Sequence, residues 1–338
     1  MKEDSCGWEE QNMEKDLQKK SYFSDEERFA DLINGLVCAG KKIVSPSDLT
    51  DMDSQTGFFK LPPSFGGKKR QRKQRYRDLV KKAVFGTNFM VIGIENQEAV
   101  HYLMPLRCMA YETDEYEHQA VKIRRRVRKQ KGISPAEFLS GFTKQDRLKP
   151  CITLVLYYGE DWDGAKDLGS LLDLTDIPEE FYGLINNYHM HICEVRKFEN
   201  TEVFRTDLKQ VFDFIRLSKD PEKLYELVRK DPAYQKLDED AYDVIAEYVN
   251  GMKFKEMKKE NLEGGKVNMD SVAEGLIQLG RRQGIEQGIE QGIEQGVQAL
   301  IEMSMKFGST KQETAEYIIE KMQVSREYAE KYIEKYWH

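Results

Sequence analysis

The chain is short of the features that mark secreted, membrane-borne or nucleotide-driven proteins. It has five cysteines in 338 residues: Cys6, Cys38, Cys108, Cys151 and Cys193. The number is odd, the positions are scattered and no CxxC occurs. Disulfide frameworks and zinc fingers are therefore poorly supported, and reduced, mostly buried thiols are expected. There is no GxxxxGK[ST] phosphate loop and no GxSxG elbow, which argues against ATP-driven and α/β-hydrolase chemistry. The longest apolar run, Cys151 to Tyr158, is far too short to cross a bilayer. The opening Met1–Trp8 carries acids where a secretory leader needs an apolar segment. The expectation is a soluble, cytoplasmic protein with no membrane partner. An excess of positive charge is also missing: the net charge is -7. That argues against a protein that coats nucleic acid over its whole surface, but not against a local basic face.

What is present suits a packed protein. Hydrophobic residues make up 40% and aromatics 11%, enough for a real core and for two domains at roughly 150 residues each. Residues 1–20 read as a polar tail. A helix begins near Ser24, with Glu27 completing a capping box and Phe29, Leu32, Ile33 and Leu36 at helical spacing. Turn formers fill 41–67. Two β-like segments follow, 78–85 and 89–97, then a long helix over 102–131. Strands are expected at 152–158 and 188–195. From about 201 the pattern is helical, with a break at Glu263–Lys266. The tail repeats Gly-Ile-Glu-Gln from Gly284 to Gln295. Isoleucines four apart form a slowly winding helical stripe, and each glycine costs about 1 kcal/mol against alanine. That helix needs a partner surface. A capping box at Thr310/Glu313 and a cap at Ser325 announce two closing helices.

Residues 78–97 carry the chemistry. Alternate side chains of a strand share a face, so Glu95 and Gln97 project together, and Asp78 shares a face with Lys82 on the preceding strand. If the two strands form a hairpin, Asp78 and Glu95 converge. Two carboxylates at one point repel, and a hard cation such as Mg²⁺ relieves that. Such a cation polarises a phosphate and lowers the pKa of an attacking water. A lone acid at a strand end is otherwise only a solvated terminus. Two runs, 68–77 and 122–131, each have seven Lys or Arg in ten, and in chain order they bracket this segment. They read either as a phosphate-tracking groove or as solvated surface. His189, His191 and Cys193 alternate, but no fourth zinc ligand is near them.

Asp78 followed by Gly93-Ile-Glu-Asn-Gln97 resembles the active-site signature of the PD-(D/E)XK nuclease superfamily. More narrowly, it resembles the Rpn family of recombination-promoting nucleases and transposase-like proteins. Tyr102–Tyr111, Ile152–Trp162, Glu194–Phe198, Phe204–Lys209 and the Gly-Ile-Glu-Gln repeat fit the same resemblance, which covers about 21–300. It implies an α/β restriction-endonuclease-like core over 21–200. A helical segment over 201–262 follows, then a C-terminal extension over 263–338 made of the repeat helix and a terminal pair. It further implies a Mg²⁺-dependent (or Mn²⁺-dependent) DNA endonuclease linked to recombination, mobile elements or defence.

Carried over, Asp78 and Glu95 are metal ligands, and Gln97 stands where the superfamily has its lysine. Glutamine offers no positive charge; Lys82 is the candidate replacement. A further acid on the first helix is expected from Glu27 or Asp31. Phosphate contacts are assigned to Lys68, Lys69, Arg70, Arg72, Lys73, Arg75, Arg77, Arg107, Arg124, Arg125, Arg126 and Arg128. DNA is the expected partner, with homo-oligomerisation through the C-terminal helices. The alternative is a non-catalytic DNA-binding or assembly protein on a degenerate nuclease fold; an RNase of the same fold is a third reading.

Overall fold

A computed structural model describes residues 21–52, 55–56, 75–76, 78–249, 257–258 and 261–337. The helix α1 (Glu26–Leu36) is capped by Asp25, whose side chain accepts from Arg28 N–H. This corrects the expected start: Ser24 instead donates to the Ser21 carbonyl, so the Ser24/Glu27 box does not form. The helix buries Phe29, Leu32 and Ile33. Gly35 lies where a Cβ would come within 2.4 Å of the Phe204 ring, so only glycine allows that approach.

The turn-rich stretch after α1 yields a short strand, β1 (Leu49–Asp51), and the paired dipeptides β2 (Gln55–Thr56) and β3 (Arg75–Tyr76). A tight hairpin follows, β4 (Leu79–Phe85) and β5 (Asn88–Gln97), turning at Gly86 with φ +58°. Its register pairs Leu79 with Ile94 and Phe85 with Asn88. The long helix α2 (Met104–Val127) and the short α3 (Pro135–Ser140) lead to β6 (Cys151–Tyr157), which lies parallel to β5. The last strand of this sheet, β7 (His191–Glu194), is shorter than the pattern suggests. The sheet order is β1-β4-β5-β6-β7, a five-stranded mixed sheet, and the architecture is α/β.

The two faces of the sheet are covered differently. On one, Met104 and Cys108 of α2 pack on Val155, Tyr157, Trp162 and Met190. Trp162 meets Tyr157 edge-on at 5.1 Å and anchors its turn. On the other, Leu36 of α1 shares a cavity lining with Met90, Ile152 and Leu154. Three further helices, α4 (Leu208–Leu217), α5 (Pro221–Lys230) and α6 (Glu239–Val249), belong to the same compact unit, which ends at Asp270. Arg28 joins α1 to the start of α4 through a bidentate pair with Asp207, at 2.9 and 2.8 Å. Between α5 and α6 lies β8 (Leu237–Asp238). It pairs with β10 (Lys266–Val267), and β9 (Leu262–Glu263) closes this small sheet across the Gly264–Gly265 turn.

The second compact unit, Ser271–His338, contains most of α7 (Met269–Phe307), then α8 (Lys311–Met322) and α9 (Arg326–Tyr336). The Thr310/Glu313 box and the Ser325 cap form as expected. Val297 and Ile301 of α7 are fully buried against Ile318, Ala329 and Ile333. Among the described residues no helix is long and apolar enough to cross a membrane.

Candidate functional site

The site sits at the carboxyl end of β5. Cross-strand partners put their side chains on one face of a sheet. The β4–β5 register ends at Leu79 opposite Ile94, so Asp78, one residue before β4, stands at the same end of the hairpin as Glu95. Glu95 lies on the face that carries α2. The Asn96 N–H donates to Asp78 Oδ2 at 2.7 Å and the Asn96 amide at 3.3 Å, which fixes the carboxylate at the mouth of the hairpin. Asn96 accepts in turn from the buried Tyr158 hydroxyl at 3.0 Å.

Glu95 is only 2% exposed. Its Oε1 accepts from Gln97 Nε2 at 3.2 Å, from the Tyr111 hydroxyl at 3.4 Å and from Arg107 Nη2 at 2.5 Å. Arg107 Nε donates to the Tyr111 hydroxyl at 2.7 Å. Arg107 and Tyr111 are four apart on α2 and therefore share a helix face. Burial works against the Arg107 charge, but Glu95, Tyr111 and Asp78 more than restore it, so its pKa lies above the ordinary value. Burial, reinforced by Glu95, pushes the Tyr111 phenol upward, so it stays protonated and able to donate. Tyr111 was not singled out in the sequence. Its signals are its place in the Tyr102–Tyr111 stretch and a helical turn after Arg107, on the helix that follows Glu95.

The structure thus bonds Gln97 and Arg107 to Glu95, with Asp78 at the same end of the hairpin, held by Asn96. It does not bring in the other candidates. Lys82 shares the Asp78 face, but it pairs with Val91 and its ammonium lies 4.3 Å from the Phe89 ring centroid. Four strand residues separate it from Asp78, about 13 Å of chain. Asp31 is buried on α1, on the opposite side of the sheet. Its Oδ2 accepts from the backbone of Arg205 and Thr206 and from the Thr206 hydroxyl, at 2.7 to 2.8 Å. It is a structural acceptor. Glu27 is exposed in the first turn of the same helix. Neither acid joins Glu95.

The basic run 122–131 also lies elsewhere. Arg124, Arg125, Arg126 and Arg128 are exposed at the end of α2. Arg124 is 17 residues beyond Arg107, about 26 Å along the axis. Arg126 pairs with Asp146, and Arg124 packs over Gly141. Chain order therefore misleads: α2 carries this charge to the far end of the sheet. Lys68, Lys69, Arg70, Arg72, Lys73 and Arg77 lie outside the described residues, and of Arg75 only its backbone pairing with Thr56 is described. His191 is exposed, and the Cys193 thiol is pushed up to about 12 by burial.

The donors gathered at β5 are oxygens: two carboxylates and the Gln97 amide. That hard set fits Mg²⁺ or Mn²⁺, which commonly takes one or two carboxylates and completes its shell with water. Among the described residues no group of three or more His, Cys, Asp and Glu forms a metal cluster, so at most two carboxylates come from the described protein. No family model, no curated protein and no solved structure matches the chain.

Proposed function

We propose that the protein is a metal-dependent endonuclease that hydrolyses DNA phosphodiesters on a PD-(D/E)XK-like core. The observation that carries the reading is the bonding of Gln97 and Arg107 to Glu95 at the strand end where Asp78 also stands, these three lying 17, 19 and 29 positions after Asp78. The element order supports it: helix, strand, hairpin, helix, parallel strand.

In this reading Asp78 and Glu95 hold Mg²⁺, which supplies phosphate polarisation and a water of lowered pKa. The protein's own groups do the rest. Asn96 holds the Asp78 carboxylate in place, and Tyr111 holds Glu95. Gln97 orients water through its amide, as acceptor or donor. Arg107 supplies the positive charge that a lysine gives elsewhere in the superfamily, and it can clamp phosphate oxygens with its fork. A duplex lying along α2 spans the roughly 26 Å to Arg124 in about eight base pairs. The reading includes DNA as partner and self-association through α7, where Ile289 is 58% exposed while Val297, on the same stripe, is fully buried.

The test is incubation of full-length protein with supercoiled plasmid and Mg²⁺ or Mn²⁺, beside Asp78→Ala and Glu95→Ala. Nicking lost in both variants is expected, a fall of at least about 10³-fold if both groups act at the transition state. Nicking that survives in both removes the assignment. A second reading, non-catalytic DNA binding on the same fold, is favoured by Gln97 and by the Arg107–Glu95 pair. It predicts gel-shifted plasmid that is never cut.

A further inference from the structure

The positive charge facing Glu95 comes from a side chain that can leave. Glu95 is almost wholly buried, whereas the Arg107 side chain is 33% exposed and reaches in from the surface of α2. Its guanidinium bonds Glu95 Oε1 and the Tyr111 hydroxyl. Asp78 acts on it electrostatically as well. The guanidinium is thus the ion-pair partner of Glu95. A divalent cation held by the same carboxylate would stand close to the guanidinium, and two positive charges that close in a buried site repel.

Resting on the nuclease reading, we propose that Arg107 is a built-in counter-ion of Glu95 that a divalent cation must displace. Cation loading and the Arg107–Glu95 pair then exclude each other. Displacement turns the guanidinium, still on its half-exposed stem, towards solvent, where a phosphate can take both arms of its fork. The pair keeps the buried carboxylate satisfied when cation is absent. It also sets the cation affinity below what the carboxylates alone provide. Arg107 is thus a gating residue as well as a phosphate contact, and cation and nucleic acid bind with positive coupling.

The test uses the full chain without DNA and reads Mn²⁺ binding by the loss of its free electron paramagnetic resonance signal. Arg107→Met keeps the apolar stem and removes the charge. It is expected to bind Mn²⁺ at least about tenfold more tightly than wild type, a typical coupling between two linked sites. Arg107→Lys, which keeps a charge, stays near wild type. Glu95→Gln and the Arg107→Met/Glu95→Gln double variant lose the gain. If Arg107→Met is too unstable alone because Glu95 is left uncompensated, Mn²⁺ should raise its melting temperature more than it raises that of wild type. Equal Mn²⁺ affinity in wild type and Arg107→Met overturns the inference and leaves the nuclease reading standing if plasmid is still cut. Absence of Mn²⁺ binding in every protein overturns both.

Discussion

Lys81 and Lys82 stand side by side in β4 and meet opposite surroundings. Lys82 shares the Asp78 face in sequence yet ends over Phe89. Lys81 faces α1, is fully buried, and reaches Asp51 at 2.5 Å with its ammonium 5.7 Å from the Phe29 ring. Asp51 itself is 71% exposed, so removing its partner leaves no stranded buried charge. Lys81→Met is therefore expected to be neutral or stabilising, within about 1 kcal/mol, in urea denaturation. Asp31 is the reverse case. Asp31→Ala strands two backbone N–H groups and a hydroxyl, and a loss of about 2–4 kcal/mol is expected. Plasmid nicking by the remaining folded protein should be unchanged; a specific loss of nicking would return Asp31 to the site.

Glu194 gives a pH dependence. Burial raises its carboxyl, but bonds from Lys197 and Lys166 and the Trp162 N–H outweigh burial and hold it at about 2. The folded value lies below the ordinary 4.5. Its contribution is therefore complete above about 4.5 and is lost as the pH falls towards 2. Glu194→Gln should flatten the stability profile in that window, measured by urea midpoints across pH.

At the scale of elements, the hairpin was legible because its alternation and its Gly86 turn signal agree. The two closing helices were legible because their caps are written locally. The start of α1 was not, because two cap candidates adjoin and only the chain's path selects Asp25. The Gly-Ile-Glu-Gln stretch is helical despite its glycines. At Gly288 and Gly292 an added Cβ meets nothing within 4 Å. Gly288→Ala and Gly292→Ala should each stabilise α7 by up to about 1 kcal/mol, seen as increased helicity by circular dichroism. A loss of self-association in these variants would instead show that a second copy packs closely on those glycines; the same sizing experiment with Ile289→Asp tests the stripe directly. Gly35→Ala, by contrast, should destabilise by about 1–3 kcal/mol through overpacking against Phe204.

Over the whole molecule, residue types and spacing sufficed for the α/β class, for placing Asp78, Glu95 and Gln97 at one end of a hairpin, and for the helical tail. These follow from periods of two and 3.6 and from the short reach of a hairpin, all local properties of the chain. What needed the tertiary structure was distance across the sheet. Both Asp31 and Glu95 are acids on regular elements, but α1 and α2 cover opposite faces, so one carboxylate became a structural acceptor and the other met Arg107 and Tyr111. The basic end of α2 adjoins the site in sequence order but stands about 26 Å from Arg107, because a helix returns the chain to the start of the next parallel strand. Spacing along the chain decided which side chains could share a face. Only the packing of helices on the two faces decided which of them share a site.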